Sequence, residues 1–477
     1  MTETEFDLIV IGGGAVAENV ADRAVQGGLT AVLIESELVG GECSYWACMP
    51  SKALLRSGIA LRAAQNVGGA KEAVTGGIDV AATLRRRDSF TSNWDDQGQV
   101  DWVESAGIAL VRGHGRITGV KTVSVEAADG TVTTLTARHA VVVSTGSDPL
   151  LPDVDGLADS SPWTPREATS AKVIPDSLAI IGGGVVAVEM ATAYASFGCA
   201  VTVIARSGLL GGQEDFAAEL VGASLEELGA TLRLGVSPTM VQRGAEGVTL
   251  TLSDGGTVTA AEVLVATGRA PRTGDIGLDT VGLEPGDWLD VDDTLLVRGE
   301  TNHDHGWLYA TGDVNHRALL THQGKYQARA AGDVIVARAL GRAVHDGQWG
   351  AHAATADHRA VPQVTFSDPE VASVGLTSTA AAEAGYEIRV VDYEIGSVAG
   401  ASLQADGYVG RARMVVDEKR HVVLGVTFVG QDVSELVHAA TIAIVGEVTL
   451  DRLWHAVPAY PTMNEIWLRL LETYGRP

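Results

Sequence analysis

Cysteine is scarce in this chain, with three in 477 residues, too few for a disulfide framework. Two of them, Cys43 and Cys48, nevertheless stand with four residues between them, and in a reducing compartment so close a pair points to chemistry. The third, Cys199, ends a helical stretch ahead of a strand and reads as packing. Positive charge is also in short supply: 34 Lys and Arg face 60 Asp and Glu, a net −26, which makes nucleic acid or an anionic membrane an unexpected partner. No apolar run is long enough to span a bilayer, and the strand-like run Phe6 to Ile11 leaves no room ahead of it for a signal peptide. A cytoplasmic protein is expected. What is present is 46% apolar residues in a chain too long for one hydrophobic core; at roughly 150 residues per domain, about three domains are expected.

Phe6 to Ile11 leads into Gly12-Gly13-Gly14-Ala15-Val16-Ala17, then a helical segment to Gly27-Gly28, then a strand, Thr30 to Ile34, that ends in Glu35. Strand, glycine turn, helix, strand and acid in this order make a dinucleotide site. Gly12 is expected to form the tight turn and Gly14 to admit a pyrophosphate. Ala17 lets the helix pack on the sheet, and Glu35 is placed to accept hydrogen bonds from a ribose. Farther on, Ala140 to Gly146 reads as a buried strand opening, at Thr145 and Gly146, into a turn beside bound nucleotide. Between these, Arg85-Arg86-Arg87 reads as a solvated helix face.

The unit then repeats. Leu178 to Ile181, Gly182-Gly183-Gly184-Val185-Val186-Ala187, a helix to Gly198 and the strand Ala200 to Ile204 copy the first order. Here no acid closes the second strand. Ala205 takes its place and Arg206 follows, the combination expected for a ribose 2′-phosphate, so NADPH is preferred. NADH stays possible, because Gly212 stands where a second arginine often helps. Val263 to Arg269, with Gly268, echoes the earlier Val-Ser-Thr-Gly. Gly306 to Asp313 reads as a strand whose terminal carboxylate, Asp313, holds a polyol hydroxyl. From Val361 the composition shifts toward an α+β pattern with an antiparallel sheet, and the segment Val457 to Glu465 runs into an amphipathic helix.

Just behind the first unit lies Gly40-Gly41-Glu42-Cys43-Ser44-Tyr45-Trp46-Ala47-Cys48-Met49-Pro50-Ser51-Lys52. Thiols exchange with a disulfide when one is open to attack and the other can resolve the mixed disulfide. A short turn entering a helix meets both conditions. Pro50 with Ser51 suits a helix start, whose positive end favours thiolate, so cysteine acidity there is expected to be raised. Tyr45 and Trp46 either shape access to Cys43 or pack.

This order of two dinucleotide units, a dithiol, a Thr-Gly-Asp strand and a C-terminal domain resembles the flavoprotein disulfide reductase family, the pyridine nucleotide-disulfide oxidoreductases, over nearly the whole chain. The resemblance implies an α/β fold of two Rossmann-like dinucleotide-binding domains plus a C-terminal α+β dimerisation domain. The expected boundaries are 1–155 and 275–350 for FAD binding, 156–274 for NAD(P)H binding and 351–477 for the dimerisation interface. FAD contacts are implied at Gly12, Gly14, Ala17, Glu35, Gly41, Thr145, Gly146 and Asp313. Those for NAD(P)H are implied at Gly182, Gly184, Ala187, Arg206 and Gly268. Cys48 matches the charge-transfer thiol facing the flavin and Cys43 the interchange thiol. Lys52 matches the lysine beside the flavin N5, and Glu189 its ion-pair partner near the nicotinamide. Electrons would pass from NADPH to FAD, to the dithiol, and on to a small disulfide or related electrophile, in a homodimer. No resident metal is implied.

One departure is chemical. Where the family has His-Pro-Thr and a glutamate completing the partner's site, this chain has Tyr460-Pro461-Thr462 and Glu465. A tyrosine side chain, with a pKa of ~10, donates a proton or hydrogen bond but is a poor base. The segment, with Ala205-Arg206-Ser207, is most similar to the mercuric ion reductase branch. Yet Leu471 to Pro477 contains no Cys, and soft metal capture needs several thiolates in sequence. Reduction of mercuric ion, another metal or a quinone, and a non-enzymatic flavin-binding redox sensor, stand as the alternatives.

Overall fold

The computed structural model describes residues 4–299, 301 and 306–476. Two compact units are assembled from non-contiguous stretches: residues 1–50, 88–148 and 269–358 form the first, and residues 51–87, 149–268 and 359–477 the second. Among the described residues, no helix is long and apolar enough to cross a membrane.

The first unit is built on β1 (Glu5–Ile11), α1 (Ala15–Gln26), β2 (Ala31–Glu35), α2 (Gly41–Tyr45), the start of α3 (Cys48–Gln65), β3 (Ala109–Arg112), β4 (His114–Gly119), β5 (Thr122–Glu126) and β6 (Val132–Val143). Its seven-stranded sheet runs β3-β2-β1-β6-β5-β4, with the strand Leu308–Ala310 also paired to β6. β1 lies parallel to β2 and β6, while β4, β5 and β6 form an antiparallel meander. Leu8, Ile9 and Val10 are fully buried, as a central parallel strand covered on both faces requires. At the carboxyl end of β1 the chain turns at Gly12, with φ +107°, where a Cβ would run into the Ser144 carbonyl. That close approach of the β1 and β6 ends admits only glycine, and it leaves the next residues at the point where ligands bind to open α/β sheets. α1 packs against the long helix Thr321–Ala339, with Val16 against Gly324.

In the second unit the strands Thr231–Leu234, Ala200–Ala205, Ser177–Ile181 and Glu262–Val265 form a four-stranded parallel sheet in that order. The helix Val185–Ser196 packs over it through Ala187, Val188, Met190 and Ala191. Gly182 repeats the Gly12 solution, φ +132° with its missing Cβ against the Ala266 carbonyl, so the duplication read in the sequence extends to backbone geometry. A five-stranded antiparallel sheet, from Pro362–Thr365 at one edge to Ile388–Glu394 at the other, carries the helices Val437–Val445 and Glu465–Tyr474. This is the mixed α/β architecture expected, with an antiparallel C-terminal part.

The arginine run departs from expectation. Arg85 and Arg86 are exposed on the helix Val80–Phe90, but Arg87 is fully buried and donates to the carbonyls of Thr169 and Ala171. A guanidinium fork can satisfy several buried carbonyls at once, so one arginine of the three closes a loop end inside the unit.

Candidate active site

Gly40, with φ +106°, turns the chain into α2, and the Trp46 and Ala47 amides close that short helix on the Glu42 carbonyl. Gly41 lies so close to Gly14 that a Cβ on it would stand 2.9 Å from the Gly14 Cα. The dithiol turn is thereby pressed onto the first glycine loop. α3 begins at Cys48 rather than at Pro50 and Ser51, as the sequence reading had it. Pro50 is tolerated in the first turn because amides there have no intrahelical partner to lose.

Cys43 and Cys48 are partly buried thiols not joined in a disulfide. Cys48 Sγ lies 3.3 Å from Thr321 Oγ1. The expectation of raised cysteine acidity at this helix start fails at Cys43. Its hydrogen bond with Cys48, and then burial, push the Cys43 thiol above the ordinary range, against the pull of Thr321 and Lys325. Two adjacent sulfurs share one negative charge more easily than they carry two, so the helix end cannot acidify both. Tyr45 is buried, meets Trp46 edge-on at 5.8 Å, and its carbonyl accepts from the Trp94 indole N–H at 3.2 Å. Its part is packing, and the same burial raises its phenol to about 12.

The groups expected around a first dinucleotide lie in the same unit. α1 starts at Gly14 with no side-chain cap, leaving its first amides without intrahelical acceptors. Glu35 accepts from the Gly13 amide at 2.6 Å and the Glu37 amide at 2.7 Å, and burial raises its carboxyl. Ala17 is fully buried against the sheet. Thr145 Oγ1 is buried without a partner, beside Gly146 at φ +75°. Asp313 Oδ2 accepts from Ser147 Oγ at 2.6 Å. An orphaned hydroxyl and an uncapped helix start are unused donors, which fits a polyphosphate and polyol ligand such as FAD.

In the second unit the helix Val185–Ser196 likewise starts uncapped at Gly184, with open space beside it and Ala187 buried beneath. Gly268 has φ +150°. Arg206 is exposed just past the strand Ala200–Ala205. Lys52 Nζ and Glu189 Oε2, 137 residues apart in sequence, meet at 2.8 Å. Glu189 is buried, its Oε1 accepts from the Phe366 amide at 3.0 Å, and the Lys52 ammonium stands 5.0 Å from the centre of the Phe366 ring. Tyr460 is 76% exposed, with a cis bond to Pro461. Glu465 is buried, one oxygen bound to Arg469 at 2.5 Å and the other, Oε2, without a partner. No hydrogen bond joins Glu465 to Tyr460 among the described residues.

Sequence reasoning missed Thr321, Lys325 and Phe366, which approach the thiols or the ion pair from distant segments and carry no motif. It also missed Glu18, whose signal was available: a carboxylate in the otherwise small and apolar first turn after the glycine loop.

The pyridine nucleotide-disulphide oxidoreductase family matches residues 6–332, and its dimerisation domain matches residues 361–470. A dihydrolipoyl dehydrogenase of Halobacterium salinarum is 32% identical over 98% of this chain and 96% of its own length. A mercuric reductase of Staphylococcus aureus is 29% identical over 97% of this chain and 81% of its own length. Among solved structures, the HOCl-induced flavoprotein disulfide reductase RclA of Escherichia coli, as its Cu(II) complex, superposes with a TM-score of 0.83 at 19% identity, covering 98% of this chain and 99% of that one. LpdA of Mycobacterium tuberculosis gives 0.83 at 23%, covering 99% of this chain and 100% of that one. These two likenesses concern the fold. The chain belongs to the pyridine nucleotide-disulphide oxidoreductases, flavoprotein enzymes of the disulfide reductase type that use FAD and NAD(P)H, and it carries that family's dimerisation domain.

Proposed function

We propose that this protein is an NADPH-dependent reductase of a small disulfide or related electrophile, working as a homodimer through Cys43 and Cys48. The observation that carries the reading is the pair itself: two partly buried thiols in hydrogen-bonding reach of one another at the entry to α3. FAD, held by Gly12, Gly14, Ala17, Glu35, Gly41, Thr145, Gly146 and Asp313, supplies a two-electron carrier between a nicotinamide and the sulfurs. Gly182, Gly184, Ala187 and Gly268 hold the nicotinamide dinucleotide, and the Arg206 guanidinium suits a 2′-phosphate. Residues 1–155 and 275–350 serve FAD, 156–274 serve NADPH, and 351–477 form the subunit interface. Lys52, fixed by Glu189, keeps a positive charge on the second turn of the helix that Cys48 begins.

Cys43, its proton passed to Cys48 across their hydrogen bond, attacks one sulfur of the substrate, whose S–S bond breaks as the mixed disulfide forms; the departing thiolate takes a proton. Cys48 then attacks the Cys43 sulfur, giving up that proton to the second thiolate as it leaves and closing a Cys43–Cys48 disulfide. Two electrons have moved from the dithiol to the substrate. Tyr460, exposed on the C-terminal segment ahead of the helix that Glu465 begins, gives the proton to the leaving sulfur in the partner subunit's site.

An anaerobic titration tests the assignment. Two electrons from NADPH should raise a long-wavelength thiolate-to-flavin absorbance that is lost in Cys48→Ser, and absence of that band in the unaltered protein would sink the proposal. A screen of disulfides, Hg(II) and quinones with both nicotinamides then identifies the acceptor. Turnover that survives Cys43→Ser would move the assignment to metal ions or quinones.

A further inference from the structure

Glu18 is a carboxylate that the dinucleotide turn does not use. It sits in the first turn of α1, is 7% exposed, and its Oε1 has no hydrogen-bond partner. The helix Thr321–Ala339 faces it. That helix sets Thr321 Oγ1 3.3 Å from Cys48 Sγ, and one turn on, along the same face, Lys325 brings a positive charge that acts on both Glu18 and Cys43. From α2, Tyr45 is within electrostatic reach of Glu18, with Asp95, Asp96 and Arg112 acting on that same tyrosine. The remaining charges nearby are committed elsewhere: Glu35 to the Gly13 and Glu37 amides, and Arg23 to Asp333.

We infer that Glu18 and Lys325 form a charge pair that sets the ionisation of the Cys43/Cys48 centre: with Glu18 protonated the ammonium serves the thiolate alone, and with Glu18 ionised two anions share it. The inference rests on the dithiol reading and adds to it a carboxylate that makes the centre's reactivity depend on pH. Burial pushes the Glu18 carboxyl up to about 7, against the pull of Lys325, so the switch falls in the neutral range. Glu18 is a positioning residue here, since it reaches the sulfurs through Lys325. The sign follows from the shared ammonium: as pH rises past the Glu18 transition, the ionised carboxylate draws the Lys325 charge away from the sulfurs and the thiolate is disfavoured.

The test is alkylation of the full-length protein, reduced with a phosphine and treated with iodoacetamide at a series of pH values from about 5 to about 9. The expected wild-type rate profile has an inflection near neutrality besides the thiol ionisation itself. Glu18→Gln should lose that inflection and react a few-fold faster above neutral pH, while Lys325→Gln should lose it and react more slowly. A Glu18→Gln profile superimposable on wild type overturns the inference, as does an inflection that persists in Lys325→Gln, a variant that decides the matter should Glu18→Gln fail to fold. Thiol counting after oxidation separates the two ideas. A protein in which Cys43 and Cys48 never form a disulfide refutes the redox reading, whereas loss of the inflection still supports the charge pair.

Discussion

Lys52 and Glu189, 137 residues apart along the chain, meet at 2.8 Å within the second unit, and the carboxylate spends its other oxygen on the Phe366 amide. One acid thus holds the Lys52 ammonium and the Phe366 segment, whose amide it accepts from and whose ring lies under that ammonium. Glu189→Gln keeps the shape and removes the charge. Loss of a charge-assisted hydrogen bond of this kind costs about 2 kcal/mol, so the urea midpoint should fall. Flavin reduction by NADPH, followed by stopped flow, should slow by roughly tenfold or more. Unchanged reduction would remove Lys52 and Glu189 from the proposed machinery.

The two cysteines are expected to differ in kind. Either serine substitution should lower disulfide turnover by roughly a thousandfold, because the pair acts as a unit. Since hydrogen bonding to Cys48 is the leading cause of the raised Cys43 thiol, Cys48→Ser should let Cys43 alkylate at lower pH than in the reduced wild type. A Cys43 profile indifferent to residue 48 would contradict the shared proton.

Glu18 also carries a stability signature. Its carboxyl titrates at about 7 in the folded chain against an ordinary 4.5, so between those values the unfolded state gives up a proton that the folded state keeps. Stability contributed by the neutral, buried acid is complete below pH 4.5 and is lost as pH rises through about 7. Relative to Glu18→Gln, wild type should lose on the order of 3 kcal/mol across that window. Parallel stability curves for the two proteins would show that Glu18 ionises as it does in water.

Arg206 is exposed just past the strand Ala200–Ala205, where the proposed function puts a 2′-phosphate. Arg206→Ala should raise the KM for NADPH by roughly tenfold while leaving that for NADH within about twofold. Equal effects on both nicotinamides would remove the basis for preferring NADPH.

Tyr460 stands clear of its own subunit's described contacts at 76% exposure. Tyr460→Phe keeps the ring and removes the proton, so kcat with a disulfide should drop by roughly tenfold or more, with flavin reduction by NADPH unaffected. Equal turnover by the phenylalanine variant would leave the leaving sulfur's proton to another donor.

Much of the fold was legible because its signals are local. Gly12 and Gly182 mark turns where the backbone of one strand end meets another, and no other residue fits; the apolar runs at Leu8 to Ile11 and Leu178 to Ile181 are what buried parallel strands require. Arg87 was misread because a charged run reports only its own composition, whereas the carbonyls of Thr169 and Ala171 that bury it lie more than eighty residues away. The Cys43 thiol was misjudged for a related reason. A helix start argues for acidity at any single sulfur, but the pairing of two sulfurs within one hydrogen bond decides which keeps its proton.

The sequence by itself determined the duplicated dinucleotide units, the dithiol and the missing histidine, because each is written in consecutive residues whose spacing dictates backbone shape. Only the tertiary structure decided which charges surround the sulfurs. Thr321, Lys325 and Glu18 come together through the packing of two helices three hundred residues apart, and electrostatic energy depends on distance in space, to which separation along the chain is no guide.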